Sequence, residues 1–125
     1  MHNQNYYDIA SFEKKNWWYH SRRHLLDVIL NSFKISFADA LDAGCGVGSN
    51  SGVLRKYSNN LIGIDKSYES DVFSRHLYDA FVRASLDDFC MKKHFDLIIC
   101  LDVLEHIDDD VKTLKNIVSH LTIVR

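Results

Sequence analysis

Leu41-Asp42-Ala43-Gly44-Cys45-Gly46-Val47-Gly48 is the stretch on which the fold turns. A short run, Ala38-Asp39-Ala40-Leu41-Asp42-Ala43, stops at glycines in alternate positions, and Val53, Leu54 and Tyr57 then follow at helical spacing. That order reads strand, glycine turn, helix. Glycine at such a turn admits positive φ, lets main-chain N–H groups approach a ligand and packs the helix tightly on the strand. The chain has five glycines, Gly44, Gly46, Gly48, Gly52 and Gly63, and no proline, so backbone permissiveness is concentrated in this window.

The neighbours of the turn extend the pattern. Leu61-Ile62-Gly63-Ile64-Asp65 and Ala80-Phe81-Val82-Arg83-Ala84 read as strands with a helix at about 68–78 between them. Phe95-Asp96-Leu97-Ile98-Ile99-Cys100-Leu101 is a near-continuous apolar run, as expected of a strand buried on both faces of a parallel sheet. Val111, Leu114, Ile117, Val118 and Leu121 predict a helix over 108–121. Upstream, Leu25, Leu26, Ile29, Leu30 and Phe33 predict a helix over 22–33, preceded by a short aromatic cap containing Phe12, Trp17, Trp18 and Tyr19. The expected fold is α/β, a Rossmann-like doubly wound, mostly parallel sheet with an N-terminal helical cap. The cap is assigned to 1–33 and the core to 34–125.

Composition narrows the function classes. With 125 residues, 46% apolar and 26% charged, and a net charge of −2, the chain reads as one soluble domain without the basic footprint of a nucleic-acid binder. No apolar run reaches the roughly eighteen residues of a membrane span, and the first twenty residues do not resemble a signal peptide. Cys45, Cys90 and Cys100 are odd in number and lack C-x-x-C spacing, so reduced thiols in a cytoplasmic protein are expected.

Asp65 ends the second strand, 21 residues after Gly44. In an α/β sheet its carboxylate falls beside the glycine turn, where two oxygens can take both hydroxyls of a ribose. The bland alternative is a tight turn and a solvated strand-end acid. A nicotinamide dinucleotide is disfavoured by Asp42, which stands close to where a helix N-terminus would hold pyrophosphate. A cofactor with an ammonium group and a sulfonium centre gains instead from nearby carboxylate oxygens.

In these segments the sequence resembles the class I S-adenosylmethionine-dependent methyltransferases. Residues 41–48 look like that family's first motif, Gly63-Ile64-Asp65 like its second, and residues 95–106 like its fourth. Asn16 through Arg23 look like the segment preceding the core in a small-molecule subgroup. The resemblance implies S-adenosyl-L-methionine as cofactor, held at the first motif by Asp42, Gly44, Cys45, Gly46 and Gly48, with Asp42, Gly44 and Gly46 at the methionine moiety. It places Asp65 on the ribose hydroxyls, Lys66 beside the adenine, a backbone N–H of Leu86 at the ring and a backbone carbonyl of Cys100 at the cofactor amine. Where the family's third motif usually carries an acid this chain has Ser85, a weaker acceptor, and Asp87 or Asp88 would substitute in a shifted loop.

His106 is the candidate general base, since an imidazole can take a proton from a hydroxyl or amine as the methyl group arrives. The alternative is that it only packs or caps this loop. In some quinone-pathway O-methyltransferases a similar acid, acid-His cluster binds a divalent metal, and Asp102, Glu105 and His106 match it; no metal is assigned here. Trp17, Trp18 and Tyr19 would either close over the cofactor or pack on the core. Arg22 and Arg23 would either meet an anionic substrate group or face solvent.

The implied function is methyl transfer to a small-molecule acceptor, with no nucleic acid and no membrane partner. The family's sheet continues beyond a fourth strand, whereas this chain ends at Arg125, so the expected sheet is incomplete, ordered 3-2-1-4 and C-terminally truncated. Its fourth strand would then offer an edge through which two copies pair. The competing reading is a truncated, non-catalytic module that binds cofactor or protein.

Overall fold

The computed structural model describes residues 3–101 and 103–122. Strands β1 (Phe37–Ala43), β2 (Ser58–Asp65), β3 (Ala80–Arg83) and β4 (Leu97–Ile99) form one parallel sheet in the order β3-β2-β1-β4. Helices α1 (Asn3–Lys15) and α2 (Trp17–Ser32) precede it; α3 (Ser51–Tyr57), α4 (Tyr68–Ser74) and α5 (Asp110–Ser119) lie between or after the strands. The expected strand order is observed, and among the described residues no helix is long and apolar enough to cross a membrane.

Period-two alternation divides the core. Leu41, Ala43, Ile62 and Ile64 point to one face and pack with Leu86, Phe89, Phe95 and Ile117. Ala40 and Leu61 point to the other and pack with Leu26, Leu30, Phe37, Leu54 and Tyr78. Asp42 and Gly63 share the parity of this second face and sit opposite each other in the β1–β2 register. The two central strands are therefore covered on both faces, whereas the run expected to be buried on both faces is β4, which lies at the end of the sheet with Leu97, Ile98 and Ile99 only half-buried because no further strand flanks it among the described residues.

Several element ends differ from the sequence expectation, each for a local reason. Asn16 accepts a hydrogen bond from the Trp18 N–H at 2.9 Å and caps α2, so that helix begins at Trp17 and includes Trp17, Trp18 and Tyr19 of the expected aromatic cap. The helix expected at 68–78 is α4, capped by Ser67, followed by a 3-10 turn at Arg75–Leu77. Within the sheet the long run at 95–101 pairs over Leu97–Ile99, while Phe95 makes a separate parallel bridge to Leu121, its N–H donating to the His120 carbonyl and its carbonyl accepting from the Thr122 N–H, both at 2.8 Å. Ahead of β4, the Asp96 carboxylate accepts from the Ala38 and Asp39 N–H groups at 2.8 and 2.9 Å, fastening the strand's entry to β1. Burial is also narrower than periodicity predicts. On α2 only Leu26 and Leu30 are buried while Leu25, Ile29 and the C-capping Phe33 are exposed; on α5 Ile117 is buried while Val111, Leu114 and Val118 are exposed. Each helix touches the sheet along a single stripe. Residues Ile123 to Arg125, where the chain was expected to depart from its family, lie outside the described residues.

Gly63 fits this packing because the Tyr78 ring crosses its strand. A Cβ at Gly63 would stand 2.9 Å from ring carbons Cγ and Cδ2. Gly63→Ala is expected to cost about 1–3 kcal/mol through overpacking, read by chemical denaturation; wild-type stability would contradict the close approach.

Candidate functional site

Beyond β1 the backbone turns through Gly44, Gly46 and Gly48, all at positive φ. Gly44 is the tightest: at φ +74°, a Cβ there would lie 2.6 Å from Val103 Cγ2. Four of the turn's five N–H groups, all but that of Val47, are spent inside the protein. Those of Gly44 and Cys45 donate to the Ile64 carbonyl at 2.8 and 3.1 Å, that of Gly48 to the Cys45 carbonyl at 2.8 Å, and that of Gly46 to Asp65 Oδ2 at 3.0 Å. The Ser70 and Ser74 hydroxyls donate to the Gly46 carbonyl at 2.6 and 3.1 Å. The approach of these four N–H groups to a ligand, expected from sequence, is therefore replaced by a self-satisfied turn. A phosphate cradle needs free N–H groups, and these are taken.

Two cavities meet over the turn, sharing Gly44 and His106 in their walls. The first, about 560 Å³, is bounded by Asp42, Cys45 and Gly46 below and by Glu13, Tyr19, Arg22 and Arg23 of the first two helices. The second, about 510 Å³, is bounded by Asp65, Lys66, Ser85, Leu86, Asp87 and Thr113. Both volumes are in the range of small-molecule sites. Helix α1 is fastened over the first by Glu13, whose carboxylate accepts from the Ser49 hydroxyl at 2.6 Å and whose carbonyl accepts from Arg23 Nη2 at 3.0 Å.

Two carboxylates define the polar character of this double cavity. Asp65 accepts from Gly46 N–H and, at 2.9 Å, from Ser67 N–H. A carboxylate has about four lone-pair sites, so both oxygens retain capacity for hydroxyl donors. Asp42 is buried and its Oδ2 accepts from the Tyr78 hydroxyl at 2.7 Å. Burial pushes its carboxyl from the ordinary 3.8 up to about 6; the tyrosine hydrogen bond pulls it back and the Asp65 charge pushes it further up. Burial, with Asp42 and Asp65 adding to it, pushes the Cys45 thiol up to about 12, which keeps it protonated and excludes it as a nucleophile.

Most sequence-predicted site residues line the walls. Asp42, Gly44, Cys45, Gly46 and His106 bound the first cavity; Asp65, Lys66, Ser85, Leu86 and Asp87 the second. Gly48 and Cys100 line neither. Gly48 is buried, and a Cβ there would meet Leu77 Cδ1 at 2.5 Å; Cys100 packs half-buried against the core. Of the three cap aromatics only Tyr19 reaches a wall, whereas Trp17 and Trp18 are 73% and 54% exposed, so closure by the tryptophans is not seen. His106 is exposed, with Nε2 4.0 Å from Glu105 Oε1. Asp102 lies outside the described residues, and among the described residues no group of three or more His, Cys, Asp or Glu side chains is placed to hold a metal. Glu13, Ser49, Tyr78 and Thr113 were not legible as site residues. Gly63 within a strand, marking a close approach, was the one signal pointing to Tyr78.

Comparison with known proteins places this geometry. A family model described as a methyltransferase domain matches residues 41–122. The ubiquinone biosynthesis O-methyltransferase of Rickettsia typhi is 25% identical over 137 aligned positions, covering 91% of this chain and 55% of the relative. That of Actinobacillus pleuropneumoniae is 26% identical over 140 positions, covering 93% and 60%. The chain thus spans little more than half the length of these relatives. Among solved structures, the N-methyltransferase NodS from Bradyrhizobium japonicum, in complex with S-adenosyl-L-homocysteine, superposes with a TM-score of 0.77 at 19% identity, over 86% of this chain and 59% of that one. CalS10, an amino pentose methyltransferase from Micromonospora echinaspora, gives 0.76 at 17%, over 93% and 51%. These two likenesses establish the shared fold.

The raised Asp42 carboxyl carries a stability signature. The folded chain holds this proton more tightly than the unfolded chain, so the stabilisation is fully present below about pH 3.8 and is lost as pH rises through about 6; such a difference amounts to about 3 kcal/mol. Asp42→Asn is therefore expected to be more stable than wild type at pH 8 by up to about 3 kcal/mol, with the advantage vanishing below pH 4. Denaturant titrations at the two pH values measure it, and a variant no more stable at pH 8 would refute the buried charge.

Proposed function

The chain belongs to the methyltransferase-domain family, and from that membership we propose that it binds S-adenosylmethionine along the two joined cavities and directs its methyl group to a small-molecule acceptor. The observation that carries this reading is the pairing of carboxylates along the joined cavities, Asp42 beneath the first and Asp65 beside the second, over a turn in which the N–H groups of Gly44, Cys45, Gly46 and Gly48 are already satisfied. That chemistry suits a cationic nucleoside and disfavours a pyrophosphate.

The residues present fit each part of the cofactor. Asp42 offers a carboxylate to the ammonium group, while Arg22 and Arg23 in the same wall suit the carboxylate of an amino-acid end. Asp65 takes the ribose hydroxyls with its remaining lone pairs, and Lys66, Ser85, Leu86 and Asp87 surround the base. When bound, S-adenosylmethionine supplies an electrophilic methyl group on sulfur. The protein then acts chiefly by alignment. His106 borders both cavities and takes the acceptor's proton at Nε2, where the Glu105 carboxylate 4.0 Å away faces the imidazolium that forms. Tyr19 and the α1 helix shield the mouth from water. The names of the curated relatives support a hydroxyl acceptor.

This reading keeps the chain in the cytoplasm, supported by three free cysteines. It also keeps pairing of two copies through β4, supported by that strand's place at the end of the sheet and by the exposed Val111, Leu114 and Val118 of the following helix. Sedimentation at roughly tens of micromolar is expected to show dimers, and a monomer throughout would remove that part.

Isothermal titration with S-adenosylhomocysteine tests the cofactor reading. Micromolar binding is expected, and Asp65→Ala should weaken it by about 10- to 100-fold through lost charge-assisted hydrogen bonds. Absence of heat in a folded sample, or preferential saturable binding of NADH, would overturn it.

A further inference from the structure

Tyr78 lies outside every motif that carries the family resemblance, yet it is the residue on which the Asp42 carboxylate rests. It follows the 3-10 turn at Arg75–Leu77, 36 positions from Asp42, and is only 6% exposed. Its ring lies on Gly63, where a Cβ would come within 2.9 Å, and stands edge-on to Phe81 with centroids 6.2 Å apart. Gly63 is opposite Asp42 in the β1–β2 register, so a ring laid over Gly63 carries its hydroxyl to the neighbouring strand. There it donates to Asp42 Oδ2 at 2.7 Å, and the Gly48 position closes the slot from the side, a Cβ there falling 3.4 Å from the same hydroxyl. Among the described residues, Asp42 Oδ1 has no hydrogen-bond partner while Asp42 lines the first cavity.

We infer that Tyr78 is a positioning residue for cofactor binding: its buried hydroxyl takes one oxygen of Asp42 and leaves the other for the cofactor's ammonium group. This rests on the cofactor reading given above. A carboxylate free to rotate in this pocket would offer either oxygen or neither. The tyrosine donor selects one orientation and favours the ionised form, which is the form that attracts a cation. The other titratable and charged groups around Asp42 are Asp65 at the end of β2, Cys45 in the glycine turn, Cys100 after β4, and Glu13, Tyr19, Arg22, Arg23 and His106 across the cavity. Asp65 opposes ionisation by its charge, and Tyr78 supplies the one side-chain hydrogen bond that favours it.

Tyr78→Phe keeps the ring in its slot and deletes only the donor. With S-adenosylhomocysteine as probe, calorimetric affinity is expected to fall by about 5- to 10-fold at pH 7. The acidic loss of affinity should move to higher pH, and the deficit should shrink toward twofold at pH 9. Carboxyl carbon NMR of Asp42 in the ligand-free chain should show its titration midpoint moved upward in the variant, a readout a purely structural role would leave in place. An equal loss of affinity at every pH, or an unmoved Asp42 midpoint, would overturn the role of Tyr78. Failure of the wild-type chain to bind the probe would overturn the cofactor reading first and the positioning role with it.

Discussion

The Tyr78–Asp42 hydrogen bond is the contact around which the rest of the site is arranged, because it allows a carboxylate to stand in the sheet's interior at the point where the chain leaves β1. A buried carboxylate without a donor would be neutral or unstable there. The donor arrives only because Gly63 leaves a channel for the tyrosine ring, and Gly63 serves only because parallel register sets it opposite Asp42. Gly48 of the turn and Gly63 within β2 thus also make room for one aromatic side chain and its neighbour Leu77.

A second constraint is the closed hydrogen bonding of the glycine turn. Ile64, Asp65, Ser70 and Ser74 hold it from below, so its shape is set before any ligand arrives. Asp65 has two tasks at once, bracing Gly46 and facing the second cavity. Such a turn presents side-chain carboxylates rather than bare amides, and that difference separates a site for a cationic nucleoside from one for a dinucleotide of the same general fold.

Much of this was legible in the order of residues. The strand order, the glycine turn and Asp65 at the end of β2 follow from patterns read within short windows, whereas Lys66, Ser85 and Leu86, which line the second cavity, were indicated only by the family resemblance. Helix starts were misplaced where a single cap decides them, as Asn16 does for α2. Burial was overstated for α2 and α5, because periodicity counts every apolar residue on a side while the sheet touches only one stripe.

What the sequence determined by itself is therefore the local grammar: alternation in strands, glycine where the backbone must turn, an acid where a strand ends. What only the tertiary structure decided is which distant groups meet. Tyr78 reaches Asp42 across 36 positions, Glu13 reaches Ser49 across 36, and Asp96 reaches the Ala38 and Asp39 amides from more than fifty positions away. None of these partners leaves a spacing that a window can detect. Their meeting depends on strand register and on the faces that helices turn to the sheet, and both are settled by burial of the whole core at once.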